Sequence, residues 1–153
     1  MQRGGEPPVS LAEFTLESWH DYYDVSLVDG FSIKIQIKPG NPNAQNPGSA
    51  QSYYWCNSPK CNQDLNQICP EELKKRNSAG QVIACRSACQ KFGTDQYCCH
   101  GAHDRPETCK STDWPFNYPA VFKRACPDAY SYAYDDHSST FFCKETNYDI
   151  VFC

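Results

Sequence analysis

No cysteine precedes residue 56, the only methionine is residue 1, and no extended basic run or Arg-rich stripe occurs in the 153 residues. The net charge is −4, which argues against a polyanion such as nucleic acid as a partner. No apolar stretch approaches the roughly 18 residues that a membrane-spanning helix needs. The opening residues, MQRGGEPPVSLAEF, lack the apolar core of a secretory leader. Proline follows both Asn41 and Asn46, so neither opens a glycosylation sequon. There is no strand–helix–strand alternation and no internal repeat, which removes doubly wound and solenoid architectures. What remains is a polar chain of mean hydropathy −0.68 with 14% aromatic residues, long enough for one domain with a core of its own.

Cysteine dominates what is present. There are 11: Cys56, Cys61, Cys69, Cys85, Cys89, Cys98, Cys99, Cys109, Cys126, Cys143 and Cys153. That density points to an oxidising compartment. The count is odd, so at least one thiol has no partner within the chain. The absent leader and the odd count have a common explanation, that residues upstream are missing and would carry both the leader and a partner cysteine. The alternative is pairing between molecules. Adjacent Cys98 and Cys99 would form a strained ring, so each is expected to reach elsewhere. The spacings from Cys89 to Cys98 and from Cys99 to Cys109 suit closed loops, but spacing alone fixes no pairing. A zinc site competes on the intervals Cys56–Cys61 and Cys85–Cys89, with His100 and His103 close in sequence; eleven thiols exceed any four-ligand site, and no metal or cofactor is expected.

Residues 11–16 suit a short strand, and 22–29 alternate, with Tyr23, Val25 and Leu27 on one face and Asp24, Ser26 and Val28 on the other. Asp29-Gly30 is a hairpin-type turn signal. Residues 31–38 alternate without a break, Phe31, Ile33, Ile35 and Ile37 against Ser32, Lys34, Gln36 and Lys38, as in a half-buried strand. The Pro/Gly/Asn-rich stretch 39–52 reads as a loop and a sub-domain boundary. Pro70-Glu71-Glu72 opens a short helix. A second helix fits 84–92, with Cys85, Cys89 and Phe92 on one face and Gly93 closing it. A third fits 118–125, with Tyr118, Val121, Phe122 and Ala125 on one side. Residues 129–134, 139–143 and 148–152 read as extended. The organisation expected is residues 1–52 in a partial sandwich, 53–112 in a cysteine-rich lobe, and 113–153 as a helix returning to the sandwich.

Three segments carry a resemblance. PPVSLAEFTL followed by DYYDVSLVDGF, CRSACQKFGTDQYCC, and CPDAYSYAYDDHSSTFFC stand in the order of, and are similar to, the strand pair, the helix and loop, and the late tyrosine-rich run of the thaumatin-like family. The resemblance covers nearly the whole chain, as that family's C-terminal two-thirds. It implies a mainly β fold: part of an antiparallel β-sandwich beside a disulfide-rich lobe with short helices. It implies the bridges Cys56–Cys143, Cys61–Cys126, Cys69–Cys85, Cys89–Cys98 and Cys99–Cys109, and leaves Cys153 unpaired, because its usual partner lies near the family's mature N-terminus. The family's glycine-rich GxxxCxTGDC signature, normally just upstream, is not in this chain.

By the same resemblance, an acidic cleft is matched by Glu13, Asp24, Asp29 and Asp135, while the family's cleft arginine falls outside the chain. The implied function is plant defence, a secreted (apoplastic) or vacuolar, monomeric, antifungal protein that binds β-1,3-glucan or another fungal surface component. Two carboxyls about 5 to 9.5 Å apart could instead hydrolyse a glycosidic bond, so a weak β-1,3-glucanase is the second reading. An interaction module is a third, and a truncated gene product that does not fold alone is a fourth. Each acid also has a simpler role: Asp29 before Gly30 as a turn former, Asp24 as a solvated strand residue, Asp135-Asp136 as a turn. Tyr53, Tyr54, Trp55, Trp114 and Phe116 either stack on sugar rings or cover the disulfide core. His100 and His103 have no nucleophile-and-acid context.

Overall fold

In the computed structural model, residues 6–46 and 52–153 are described. The sequence-derived loops at 1–10 and 39–52 therefore fall partly outside them. Strands β1 (Leu11–Thr15), β2 (Asp21–Ser26) and β7 (Phe141–Cys143) form one antiparallel sheet, in the order β1-β2-β7. Strands β3 (Ile35–Pro39), β4 (Lys60–Cys61) and β8 (Tyr148–Phe152) form a second, in the order β4-β3-β8. A hairpin of β5 (Lys74–Arg76) and β6 (Val82–Cys85) stands apart from both sheets, and the described residues also hold four short helices: α1 (Leu65–Ile68), α2 (Ala88–Phe92), α3 (Asp95–Cys98) and α4 (Tyr118–Ala125). The architecture is mainly β, as expected. No helix among the described residues is long and apolar enough to cross a membrane.

Strand alternation decides which side chains fill the space between the sheets. Tyr23, Val25 and Leu27 are buried, as are Ile35 and Ile37 from the facing sheet. Tyr23 meets Tyr148 of the second sheet at a ring separation of 5.0 Å, and Phe14 meets the same ring at 5.1 Å. Ser26 is buried although it lies on the outer face, because residue 130 forms a bridge beside it.

The unbroken strand expected over 31–38 is interrupted. Phe31, Ile35 and Ile37 are buried, whereas Ile33 is 40% exposed. The reason is Ser10. Its hydroxyl accepts hydrogen bonds from the Ser32 and Ile33 amides and donates to the Ile33 carbonyl at 2.7 Å. A side chain from a distant segment thus satisfies backbone groups that a neighbouring strand would otherwise take, and the kink turns Ile33 outward. The turn at Asp29-Gly30 is no hairpin either, for β2 and β3 belong to different sheets. Gly30 has φ +88°, and a Cβ there would lie 2.6 Å from the Cys85 carbonyl oxygen, so only glycine fits. Phe31 and Cys85 exchange backbone hydrogen bonds of 2.8 and 2.9 Å, which lock the sandwich to the lobe hairpin.

The helix expected over 84–92 is a strand to Cys85 and a helix only from Ala88. Ser87 starts it, accepting from the Gln90 amide while the Gln90 side chain accepts from the Ser87 amide, and Gly93 ends it at φ +64°. Replacing Ser87 with Ala removes one side of this reciprocal cap and is expected to lower stability by about 1 kcal/mol, read as a shift in urea midpoint with unchanged slope. The helix expected from residue 70 is a single tight turn, Glu71–Leu73, that runs directly into β5. Helix α4 matches its expected span, its side chain cap supplied by Asn117. The extended reading of 129–134 reduces to one bridge at Tyr130.

Five disulfides staple the chain: Cys56–Cys143, Cys61–Cys126, Cys69–Cys85, Cys89–Cys98 and Cys99–Cys109. Cys153 is free and exposed. The cysteines proposed as metal ligands are thereby consumed. Cys99 has φ +56°, a left-handed turn that ends α3 and sends the two adjacent sulfurs to different partners.

Candidate functional site

The outer face of the β1-β2-β7 sheet carries the acidic residues. Antiparallel register places Glu13 directly across from Asp24. Because Tyr23 and Val25 point inward, Asp24 and Tyr22 point out. Phe142, opposite Tyr22, extends the face. Glu13 is exposed and Asp24 is partly buried. Asp24 Oδ1 is fully enclosed and has no hydrogen-bond partner among the described residues. Burial, reinforced by the Glu13 charge, a hydrogen bond to the Glu13 carboxyl and the Asp136 charge, raises the Asp24 carboxyl to about 8. Near neutral pH the Asp24 carboxyl therefore keeps its proton.

Asp136 is the acid that sequence reasoning passed over in favour of its neighbour. The Tyr130 hydroxyl donates to Asp136 Oδ1 at 2.7 Å and sits 2.6 Å from Thr140 Oγ1. Burial first, then these acids, push the Tyr130 phenol well above its usual range, so it remains a donor. A register diagram of β2 and β7 could have placed Tyr130 only with knowledge of its bridge to Ser26.

The four acids implied by resemblance are not gathered at one point. Glu13 and Asp24 face each other. Asp29 stands at the turn and lines a separate cavity between the sheet and the lobe helices. Asp135 is committed to internal structure: its Oδ2 lies 3.0 Å from Lys123 Nζ and accepts from the Ser131 amide and hydroxyl at 3.0 and 2.8 Å. Ser138 donates to its other oxygen. The aromatics divide as well. Trp55 packs against Phe142 at 5.3 Å and donates its indole N–H to the Ala44 carbonyl; Trp114 is buried. Tyr53 and Phe116 are exposed. The His103 ring contacts the Thr108 carbonyl oxygen at 2.7 Å and meets no nucleophile. Among the described residues no three His, Cys, Asp or Glu side chains are grouped to hold a metal ion.

A protonated Asp24 carboxyl can both donate and accept hydrogen bonds, the pattern a sugar hydroxyl requires. Such a group flanked by aromatic rings suits a polyhydroxylated ligand.

Comparison with known proteins agrees with the resemblance. Residues 1–153 match the family model described as Thaumatin family. The chain is 53% identical over 152 residues to pathogenesis-related protein 5 of Arabidopsis thaliana, with 98% of this chain and 57% of that protein covered. It is 51% identical over 152 residues to pathogenesis-related thaumatin-like protein 3.5 of Cryptomeria japonica, covering 99% of this chain and 57% of the relative. It is 46% identical over 153 residues to a glucan endo-1,3-beta-glucosidase of Prunus avium, covering 98% and 57%. The chain thus spans less than two-thirds of these relatives' length. With its paired strands, its five disulfides and a family match along its entire length, the chain belongs to the Thaumatin family.

Proposed function

We propose that this chain serves in plant defence by binding a β-1,3-glucan or a similar fungal wall component, without cleaving it, through the face that carries Glu13 and Asp24. The observation that supports this most is the enclosed, unpartnered Asp24 Oδ1 beside the Glu13 carboxyl. A buried acceptor left without a donor costs about 1–3 kcal/mol, so Asp24 is retained on this face at the expense of stability. Asp136, held by Tyr130, supplies a further acceptor on the same face. Asp29 and Asp135 belong to the wider acidic cleft, as a neighbouring acid and as a structural pin respectively. The disulfides fit secretion, with the apoplast or the vacuole as destination and no cofactor required.

Retention on insoluble β-1,3-glucan tests the reading. The chain is expected to be retained above a disulfide-rich control protein, and Glu13→Gln with Asp24→Asn to lose at least about tenfold in affinity. Retention equal to the control sinks it.

Weak β-1,3-glucan hydrolysis is the second reading, favoured by the name of the Prunus avium relative. The site is less suited to it, because a hydrolytic pair must present both carboxyls to the glycosidic bond, whereas Asp24 Oδ1 is enclosed. Reducing-sugar release that disappears in Asp24→Asn would favour this reading over simple binding.

A further inference from the structure

We propose that Asn57 is a site of self-inflicted covalent modification: the main-chain nitrogen of Ser58 attacks its side-chain amide, ammonia leaves, and water converts the product to aspartate and isoaspartate. This goes beyond the glucan reading and does not depend on it.

The chain holds two Asn-Ser pairs, Asn57-Ser58 and Asn77-Ser78. The successor is the same small residue in both, so local sequence favours neither. Their surroundings differ. The Ser58 amide donates to Asn57 Oδ1 at 2.9 Å, and no other described residue takes that bond. It holds the nucleophilic nitrogen beside the amide carbon, which lies one C=O bond of about 1.23 Å from the acceptor, as in a near-attack arrangement. Asn57 is exposed, and no described residue accepts from its side-chain nitrogen, so the leaving group faces water. The main chain is fixed on both sides. The Cys56 amide donates to the Phe142 carbonyl at 2.8 Å, the Asn57 carbonyl accepts from the Tyr23 hydroxyl at 2.7 Å, and Pro59 restricts Ser58 to extended backbone.

Asn77 is tied elsewhere. Its Oδ1 accepts from the Ala79 and Gln81 amides, both at 3.0 Å, and its Nδ2 donates to Gln81 Oε1 at 2.9 Å. None of these bonds is to Ser78. Asn41 and Asn46 precede proline, which has no N–H to lose. The Ala44 amide after Asn43 is taken by the Asn41 carbonyl at 3.2 Å. Glutamine or tyrosine, both bulkier, follows every remaining asparagine.

The chemistry needs only water. The Ser58 nitrogen gives its proton to solvent base and bonds to Asn57 Cγ. Nδ2 takes up a proton and departs as ammonia, leaving a cyclic imide. Water then opens either of the ring's C–N bonds. One opening gives aspartate with an unaltered main chain. The other gives isoaspartate: the main chain now runs through Cβ and Cγ, and the carbonyl that held the Tyr23 phenol becomes a free carboxylate. Both products add negative charge to the surface hollow that Asn57 lines with Tyr53 and Trp55. Only isoaspartate also changes the acceptor of the buried Tyr23.

Incubation of the 153-residue chain, disulfides intact, in mildly alkaline buffer tests this, with peptide mapping by mass and isoaspartate detection. Asn57 is expected to convert at least about tenfold faster than Asn77, and faster as pH rises. In the reduced, urea-unfolded chain the two should convert at comparable rates, since only sequence remains. Ser58→Val crowds the nitrogen yet suits the extended backbone before Pro59; it should slow Asn57 conversion at least about tenfold in the folded chain. Isoaspartate-bearing protein should unfold at lower urea than the parent, whereas Asn57→Asp, which adds the charge without rerouting the chain, should not. No conversion at Asn57, Asn77 converting as fast as Asn57 in the folded chain, or the same preference for Asn57 in folded and unfolded chains overturns the proposal.

Discussion

Removing the Cys56–Cys143 bridge as a double alanine variant is expected to cost about 3.5 kcal/mol, whereas removing Cys89–Cys98 should cost about 2.5 kcal/mol. The difference follows from loop length. The first bridge closes a separation of 87 residues, which the nested Cys61–Cys126 bridge reduces to a free path of about 22, and the second closes only 9; the entropy taken from the unfolded chain grows with the logarithm of the loop. Native domains hold about 5–15 kcal/mol in total, so the long bridge accounts for a large share. For a domain of this size the two variants should melt roughly 7–14 °C and 5–10 °C below the parent. Scanning calorimetry of both, with intact remaining bridges verified by mass, checks the ordering. Equal shifts would mean that the sulfurs matter through local packing and not through the unfolded chain.

Asp24 gives the second large effect, and its sign is specific. The folded carboxyl titrates near 8 against an ordinary value of 3.8. Between those limits the folded state retains a proton that the unfolded chain has released. Stability is therefore greatest at and below about pH 4 and falls as pH rises towards about 8, by up to 1.4 kcal/mol per pH unit. Asp24→Asn abolishes the ionisation. It is expected to match the parent near pH 4, to exceed it by about 2–4 kcal/mol at pH 8, and to flatten the profile between. Urea titrations across that range provide the measurement. An Asp24→Asn variant no more stable than the parent at pH 8 would falsify the raised, buried Asp24 carboxyl.

Much of the fold was legible because it is local. Tyr23, Val25 and Leu27 announce their burial by alternation, and α4 announces itself by the spacing of Tyr118, Val121, Phe122 and Ala125. The failures trace to contacts between distant segments. Nothing near Ile33 predicts its exposure, since the cause is the Ser10 hydroxyl more than twenty residues away. Cys85 and Cys89 satisfy a helical spacing, and that pattern concealed a strand ending at one and a helix holding the other. The better signal was present: Ser87 and Gln90 form a capping box that dates the helix to residue 88.

The site divides along the same line. That Glu13 and Asp24 share a face follows from the length of the β1–β2 hairpin. That Asp135 is occupied by Lys123 while Asp136 stands near Asp24 depends on how α4 and the loop after Tyr130 approach each other. Adjacent identical residues with opposite duties cannot be distinguished from composition.

The Cys56–Cys143 bridge spans every other bridge in the molecule. A protease that nicks the backbone once, anywhere between those two cysteines, releases no fragment, because both halves stay tethered through sulfur. In a protease-rich extracellular fluid, a clipped molecule of this kind would persist as a covalent whole and become two pieces only after reduction.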